Sequence, residues 1–203
     1  MHRALLWDTL ERTSILPVAH YLFLADCSRE EVRDLGRKSP FPARWQIRVQ
    51  KGRGLGERLL NAHQHLLESH RKVAFLGSDS PTLPLAWIEQ AFNKLAEGAV
   101  AVGPTTDGGY YLLGLAGSRP RLFEGIDWGT ERVLQQTQAK VQPSELELLP
   151  VWYDVDVPPD LTRLREELDS WPSGRAGFPG RTAEFLKGLK WGMPGSGPDP
   201  HSC

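Results

Sequence analysis

The chain is expected to fold as an α/β protein, a mostly parallel sheet flanked by helices, and three observations lead there. Short apolar runs recur along its 203 residues. Stretches with apolar residues at three- and four-residue spacing alternate with them, and Gly/Pro-rich turns separate the two kinds. The length suits one domain with a full core, and neither an internal repeat nor a dividing linker is visible. We therefore expect a single domain over 1–190 and a disordered tail over 191–203, where "GMPGSGPDPHSC" is rich in Gly, Pro and Ser.

Each element follows in order. Leu5, Leu6, Leu10 and Ile15 fall at helical spacing and predict a helix over 2–14. "VAHYLFLAD" (18–26) is an apolar run ending in an acid, as buried parallel strands are. "WQIRVQ" (45–50) alternates and predicts a second strand; 51–70 begins with glycines and continues as a helix with Leu59, Leu60, Leu66 and Leu67 inward. "KVAFLG" (72–77) is a third strand, and 85–98 a helix closed by Gly98. Residues 99–115 read as two strands joined by a glycine-rich loop, and 129–141 as a helix with Thr130 as N-cap. A last strand lies within 146–157, a helix started by prolines spans 158–171, and a short helix spans 182–191.

Twenty-four Lys and Arg against 25 Asp and Glu give a net charge of −1, so there is no electrostatic case for binding nucleic acid or a membrane surface. Cys27 and Cys203 form no disulfide framework or CxxC metal site. The first residues lack the apolar core of a signal peptide, and no run approaches the roughly 18 residues of a membrane span. The expectation is a soluble protein of the cytoplasm.

Three loops should gather at the carboxyl edge of such a sheet, where open α/β sheets bind ligands. They are "GSDSP" with Ser78 and Asp79, "GPTTDGGYYLLG" with Asp107, Gly108, Gly109 and Tyr110, and "WYDVDVPPDL" with Asp154 and Asp156. Singly, each has a plainer reading. Asp79 and Asp156 could cap the helices that follow, and Asp107-Gly108 could be only a turn. Together, acids at three strand ends without balancing bases repel one another. A hard cation such as Mg²⁺ or Mn²⁺ relieves that repulsion and can bridge substrate phosphates.

The strings "FLGSDSPTLP", "AVAVGPTTDGGYYLLGL", "LFEGIDWGTERVLQQT" and "YDVDVPPDL" resemble, in order and spacing, the DUF2064 family of bacterial GT-A-fold glycosyltransferase-like proteins, over about residues 3–190. The resemblance implies a nucleotide-diphospho-sugar transferase type of fold. It implies Asp79 and an acid of "DVD" as the divalent-metal pair, Asp156 favoured over Asp154. The amides of Gly108 and Gly109 would be free for close approach to a sugar or acceptor, with Ser78 also in contact and Tyr110 as a wall. Asp127 and Trp128 of "GIDWGT" would close the acceptor side, although Trp128 could equally sit in the core of a helix-entry loop. Asp107 and Asp127 are the candidates for a general base.

Two departures from the family stand out. Relatives begin with a strand and a basic, phosphate-holding loop, whereas here the first element is a helix. We therefore expect an upstream in-frame extension of roughly 20–30 residues, the length of a strand, a loop and part of a helix. "GRGLGERL" also has Gly54 where relatives carry an acid, and it matches neither phosphate-binding glycine fingerprint. His63 and His65, two apart, should face different ways on their helix, and Cys27 is expected as a small buried residue.

The leading expectation is transfer of a sugar from a nucleoside-diphosphate donor to a small-molecule acceptor, with Mg²⁺ or Mn²⁺. The alternatives are nucleotidyl transfer from an NTP to a phosphorylated or cofactor acceptor, and a non-catalytic nucleotide-binding protein. Donor, acceptor and oligomeric state are not specified by the sequence.

Overall fold

The computed structural model describes residues 1–38, 45–172 and 176–189. In chain order the elements are α1 (His2–Thr13), β1 (His20–Leu24), α2 (Arg29–Lys38), β2 (Trp45–Val49), α3 (Leu55–Leu67), β3 (Lys72–Leu76), α4 (Leu85–Lys94), β4 (Val100–Pro104) and β5 (Tyr110–Ala116). A short 3-10 turn (Pro120–Phe123), α5 (Val133–Gln138), β6 (Leu146–Leu148), α6 (Pro158–Asp169) and α7 (Gly180–Gly188) complete it. The α/β class and nearly every element match the periodicity. The missed one is α2, whose apolar residues are too few for a periodic stripe. Its start was nonetheless signalled: Ser28 and Glu31 form a reciprocal capping box, Glu31 N–H to Ser28 Oγ (3.1 Å) and Ser28 N–H to Glu31 Oε2 (2.7 Å). The tail expected over 191–203 lies outside the described residues.

These residues cluster into two compact units. One comprises Met1–Ile15, Ser78–Leu83 and the described residues from Tyr153 onward; the other comprises Leu16–Gly77 and Pro84–Trp152. The second holds all the strands. β1 and β2 pair in parallel, His20 opposite Trp45. A four-stranded sheet runs β3-β5-β4-β6. β4 and β6 are parallel, but β5 runs against both neighbours, so this sheet is mixed rather than mostly parallel. The reason is local: the short loop between β4 and β5 can only reverse the chain, whereas a parallel return needs a crossover.

β4 is buried throughout and β5 nearly so, whereas β1 and the second half of β3 are half-buried. Val100, Val102, Leu113 and Leu115 of the central strands pack with Leu122, Phe123 and Val141. Leu59 and Leu60 of α3 lie against that core, and Leu66 is buried. Among the described strands no ladder joins β1 to β3; Tyr21 of β1 instead reaches His70, just ahead of β3, Oη to Nε2 at 2.8 Å. The strand expected ahead of α1 concerns residues upstream of Met1.

The first unit is built from α1, α6 and α7 around a strandless loop. Leu5 and Leu10 of α1 are buried as expected, but Ile15 lies beyond the helix and is exposed. Leu164, Leu168, Ala183 and Leu186 supply its other apolar contacts. Asp8, at 2% exposure, accepts the Arg181 and Thr182 N–H bonds (3.3 and 2.7 Å), satisfying the amino end of α7.

Candidate functional site

The acids expected to hold a metal all fall in the first unit. Loop 78–83 and the segment ahead of α6 are tied there by their backbones: Val155 N–H donates to Asp79 O at 3.0 Å. The Ser80 hydroxyl lies within donating distance of Asp154 Oδ1 (2.6 Å) and Tyr153 O (3.0 Å). Thr82 and Tyr153 add a hydroxyl contact at 3.4 Å, and the phenol of Tyr153 donates to Glu167 Oε2. The Asp79 carboxylate accepts from Ser78 Oγ (3.3 Å), with His2 Nδ1 3.8 Å away. Asp79 and Asp154 are half-buried and Asp156 is exposed.

Neither Asp79 nor Asp156 is a helix cap. The N-cap of α4 is Pro84, without a side-chain bond. At α6 the capping carboxylate is Asp160, which accepts from the N–H groups of Asp156 (3.0 Å) and Val157 (2.9 Å). Among the described residues no three His, Cys, Asp or Glu side chains group tightly enough to enclose a metal ion. The donors present are carboxylates from two linked segments. That set fits Mg²⁺ or Mn²⁺, which commonly takes one or two protein carboxylates and completes its sphere with water and substrate phosphate. It does not fit a closed four-ligand zinc site.

The second unit gathers the glycine and aromatic candidates. Asp107 shapes the turn between β4 and β5: its Oδ1 accepts from the Thr105 hydroxyl and from Gly109 N–H (3.1 Å). Gly108 N–H reaches Thr105 O at 3.4 Å. Both amides that the sequence left open for a ligand are therefore used by the turn itself, because a reversal this tight has to satisfy its own donors. Gly108 is required by its surroundings: its φ is +90°, and a Cβ there would overlap the Glu131 carbonyl. Its own carbonyl accepts from Leu134 N–H at 2.9 Å, fastening the turn to the start of α5.

Asp127 and Trp128 lie in the loop that leads into α5. The Asp127 carboxylate accepts from Gln136 Nε2 (2.7 Å) and pairs with Arg132 (3.2 Å), so it organises the entry to α5. The Thr130 hydroxyl accepts from Arg132 N–H (3.3 Å), but Thr130 is not the expected N-cap: α5 starts later, at Val133, and its N-cap is Arg132, without a side-chain bond. Trp128 is half-buried, its ring edge-on to Tyr110 with centroids 6.3 Å apart. Gly56 at the start of α3 leaves room for that indole, since a Cβ there would overlap Trp128 Nε1. The "GRGLGER", "DGGYY" and "GIDWGT" strings thus meet around one tryptophan. Tyr110 keeps its hydroxyl buried beside Thr137, and burial raises its pKa well above that of a free phenol.

His63 and His65 face apart as expected. His63 is fully buried, its Nε2 3.1 Å from Gly117 O and its ring between Phe75 and Phe123. His65 is exposed beside Glu68. Cys27 is half-buried rather than buried. Sequence reasoning missed Ser80, Thr9, Arg12 and Gly56. For Thr9 and Arg12 a signal existed: with Leu5 and Asp8 they share one face of α1, a face that carries polar groups inward.

No curated protein matches the chain. A crystal structure from Desulfovibrio desulfuricans G20, named a "putative nucleotide-diphospho-sugar transferase", is similar in fold with a TM-score of 0.77 and 27% identity, covering 91% of this chain and 82% of that one. Helices flanking sheets in this arrangement make the fold nucleotide-diphospho-sugar transferase-like. Residues 9–130 match the family described as "Uncharacterized protein conserved in bacteria (DUF2064)". With well over half its length matched, the chain belongs to the DUF2064 family.

Proposed function

We propose that this protein is a metal-dependent glycosyltransferase that uses a nucleoside-diphosphate sugar. The observation that carries the reading is the joining of loop 78–83 to the Asp154–Asp156 segment, with Asp79 and Asp156 on it and neither used as a helix cap. Its support is the similarity to a protein named for nucleotide-diphospho-sugar transfer. Asp79 with Asp156, Asp154 next in line, would hold Mg²⁺ or Mn²⁺, which would supply neutralising charge for the diphosphate leaving group. Ser78 would contact the ligand beside Asp79, while Tyr110 and Trp128 offer aromatic surface on which a sugar face can stack. The Gly108–Gly109 turn sets where Tyr110 begins. Asp107 and Asp127 remain candidates for the base, each with one carboxylate oxygen free of the contacts described above.

Titrating UDP and GDP into the protein with Mn²⁺ present tests the reading. Asp79→Asn should abolish Mn²⁺-dependent binding without unfolding the chain, Asp156→Ala should do the same, and Asp154→Ala should be milder. Unchanged binding by Asp79→Asn would remove the metal assignment, and a reversed order would move the ligand to Asp154. Release of nucleoside diphosphate from an NDP-sugar supports glycosyl transfer; release of pyrophosphate from an NTP would replace it with nucleotidyl transfer. Binding without either release would indicate a non-catalytic nucleotide-binding protein.

A further inference from the structure

In the first unit a buried cation is engaged by the backbone of the acid-bearing loop. Arg12 is 5% exposed. Its guanidinium donates from Nη1 to Pro81 O and from Nη2 to Leu83 O at 3.0 Å. It lies 5.3 Å from the centroid of Trp171, and the backbone of Gly177 passes beside its Cγ and Nε. Burying a guanidinium is costly unless its donors are met. Here a planar fork meets two carbonyls that lie two residues apart in a segment without regular structure.

The other groups of that loop are held as well. Ser78 O accepts from Thr9 Oγ1 at 3.4 Å, Asp79 O from Val155 N–H, and Ser80 O from Leu83 N–H at 3.1 Å. With Arg12 on residues 81 and 83, the carbonyls of residues 78, 79, 80, 81 and 83 are all engaged, whereas the Asp79 side chain retains 36% exposure. α1 contributes two of these fastenings, Thr9 and Arg12, one turn apart on its buried face.

We propose that Arg12 is a positioning residue for Asp79: by gripping the Pro81 and Leu83 carbonyls it holds loop 78–83 in the shape that presents the Asp79 carboxylate to a divalent cation. This rests on the metal reading of Asp79. Lysine is no substitute, because a single ammonium cannot reproduce the two-pronged planar donation. Partners that orient a metal ligand without touching the metal typically change metal affinity about 10- to 100-fold when removed.

The test uses the full chain, with Mn²⁺ and UDP as probes and Mn²⁺ electron paramagnetic resonance as readout, at a temperature where every variant is folded by circular dichroism. Arg12→Lys and Arg12→Met should weaken Mn²⁺–UDP binding about tenfold or more and alter the Mn²⁺ line shape of the residual complex. Asp8→Asn is the stability control. It loosens the α1–α7 contact in the same unit without touching loop 78–83, so it should lower the melting temperature and leave Mn²⁺–UDP affinity unchanged. Arg12 variants that bind like wild type, or an Asp8→Asn variant that loses as much affinity as they do, would overturn the positioning role alone. Asp79→Asn binding like wild type would overturn it together with the metal reading.

Discussion

The two units are held together by different physics. In the second, the interior is a sheet of aliphatic side chains in which Val100, Val102, Leu113 and Leu115 are at most 1% exposed. In the first, the buried set includes Asp8, Thr9, Arg12, Thr13, Ser80, Thr82 and Thr182. The reason lies in the backbone. A strand has its polar groups satisfied by its neighbours, so its side chains can be purely apolar. Loop 78–83 has no ladder, and its carbonyls must find donors on side chains and on neighbouring loops. Apolar burial gives the sheet its stability, while hydrogen-bond geometry gives the acid-bearing loop its shape. The acids expected to carry chemistry sit on the part whose shape is most sensitive to single polar substitutions.

Truncations should separate the two regimes, and the largest effect belongs to the sheet. Leu115→Ala, at 0% exposure, should destabilise by about 2–5 kcal/mol in chemical denaturation, through lost apolar contact and the cavity left behind. A cost below ~1 kcal/mol would mean that the sheet core is not where stability lies.

Gly108→Ala comes next, at about 3 kcal/mol, because it combines a φ of +90° with a clash against the Glu131 carbonyl. It should also disturb Tyr110 and Trp128, so a shift in tryptophan emission should accompany the loss. Stability lost with unchanged emission would show that the turn does not control the aromatic pair.

Ser80→Ala should cost ~1–3 kcal/mol by leaving the Asp154 and Tyr153 acceptors without their hydroxyl. It should do so without any apolar loss, and measuring Mn²⁺–UDP affinity alongside stability would show whether loop shape and function move together. An unchanged denaturation midpoint would deny the hydrogen-bonded account of the first unit.

The smallest effect is a pH dependence of the second unit. Burial lowers the pKa of His63 below that of a free imidazole, the Gly117 carbonyl opposing weakly, so the folded chain holds the ring neutral while the unfolded chain binds a proton near pH 6.5. The stabilisation from a neutral His63 is complete above about pH 6.5 and declines as pH falls below it. The slope cannot exceed ~1.4 kcal/mol per pH unit for one group. A His63→Gln variant should flatten that part of the stability–pH curve; an identical slope in the variant would assign the titration elsewhere.

Much of this protein could be read from its residues in order. Apolar runs and helical spacing gave the element series, because burial demands that periodicity wherever a strand or helix faces a core. Motif strings gave the family, and three acids were named on the segments that the fold ties together. Two capping explanations for those acids were open in sequence and closed only in three dimensions, when Pro84 and Val157 proved to be the N-caps, with Asp160 supplying the capping carboxylate at α6. The sequence could not show that the Gly108 and Gly109 amides are used by their own turn, since a DG pair has the same letters whether its donors face a ligand or a carbonyl. Nor could it show that β5 would run against both its neighbours, or that Arg12 of α1 would grip carbonyls some 70 residues along the chain. Periodicity is a property of neighbours in sequence, and it tells which side of an element is buried. Which polar group answers which is settled among residues far apart in the chain, and only the folded backbone brings those together.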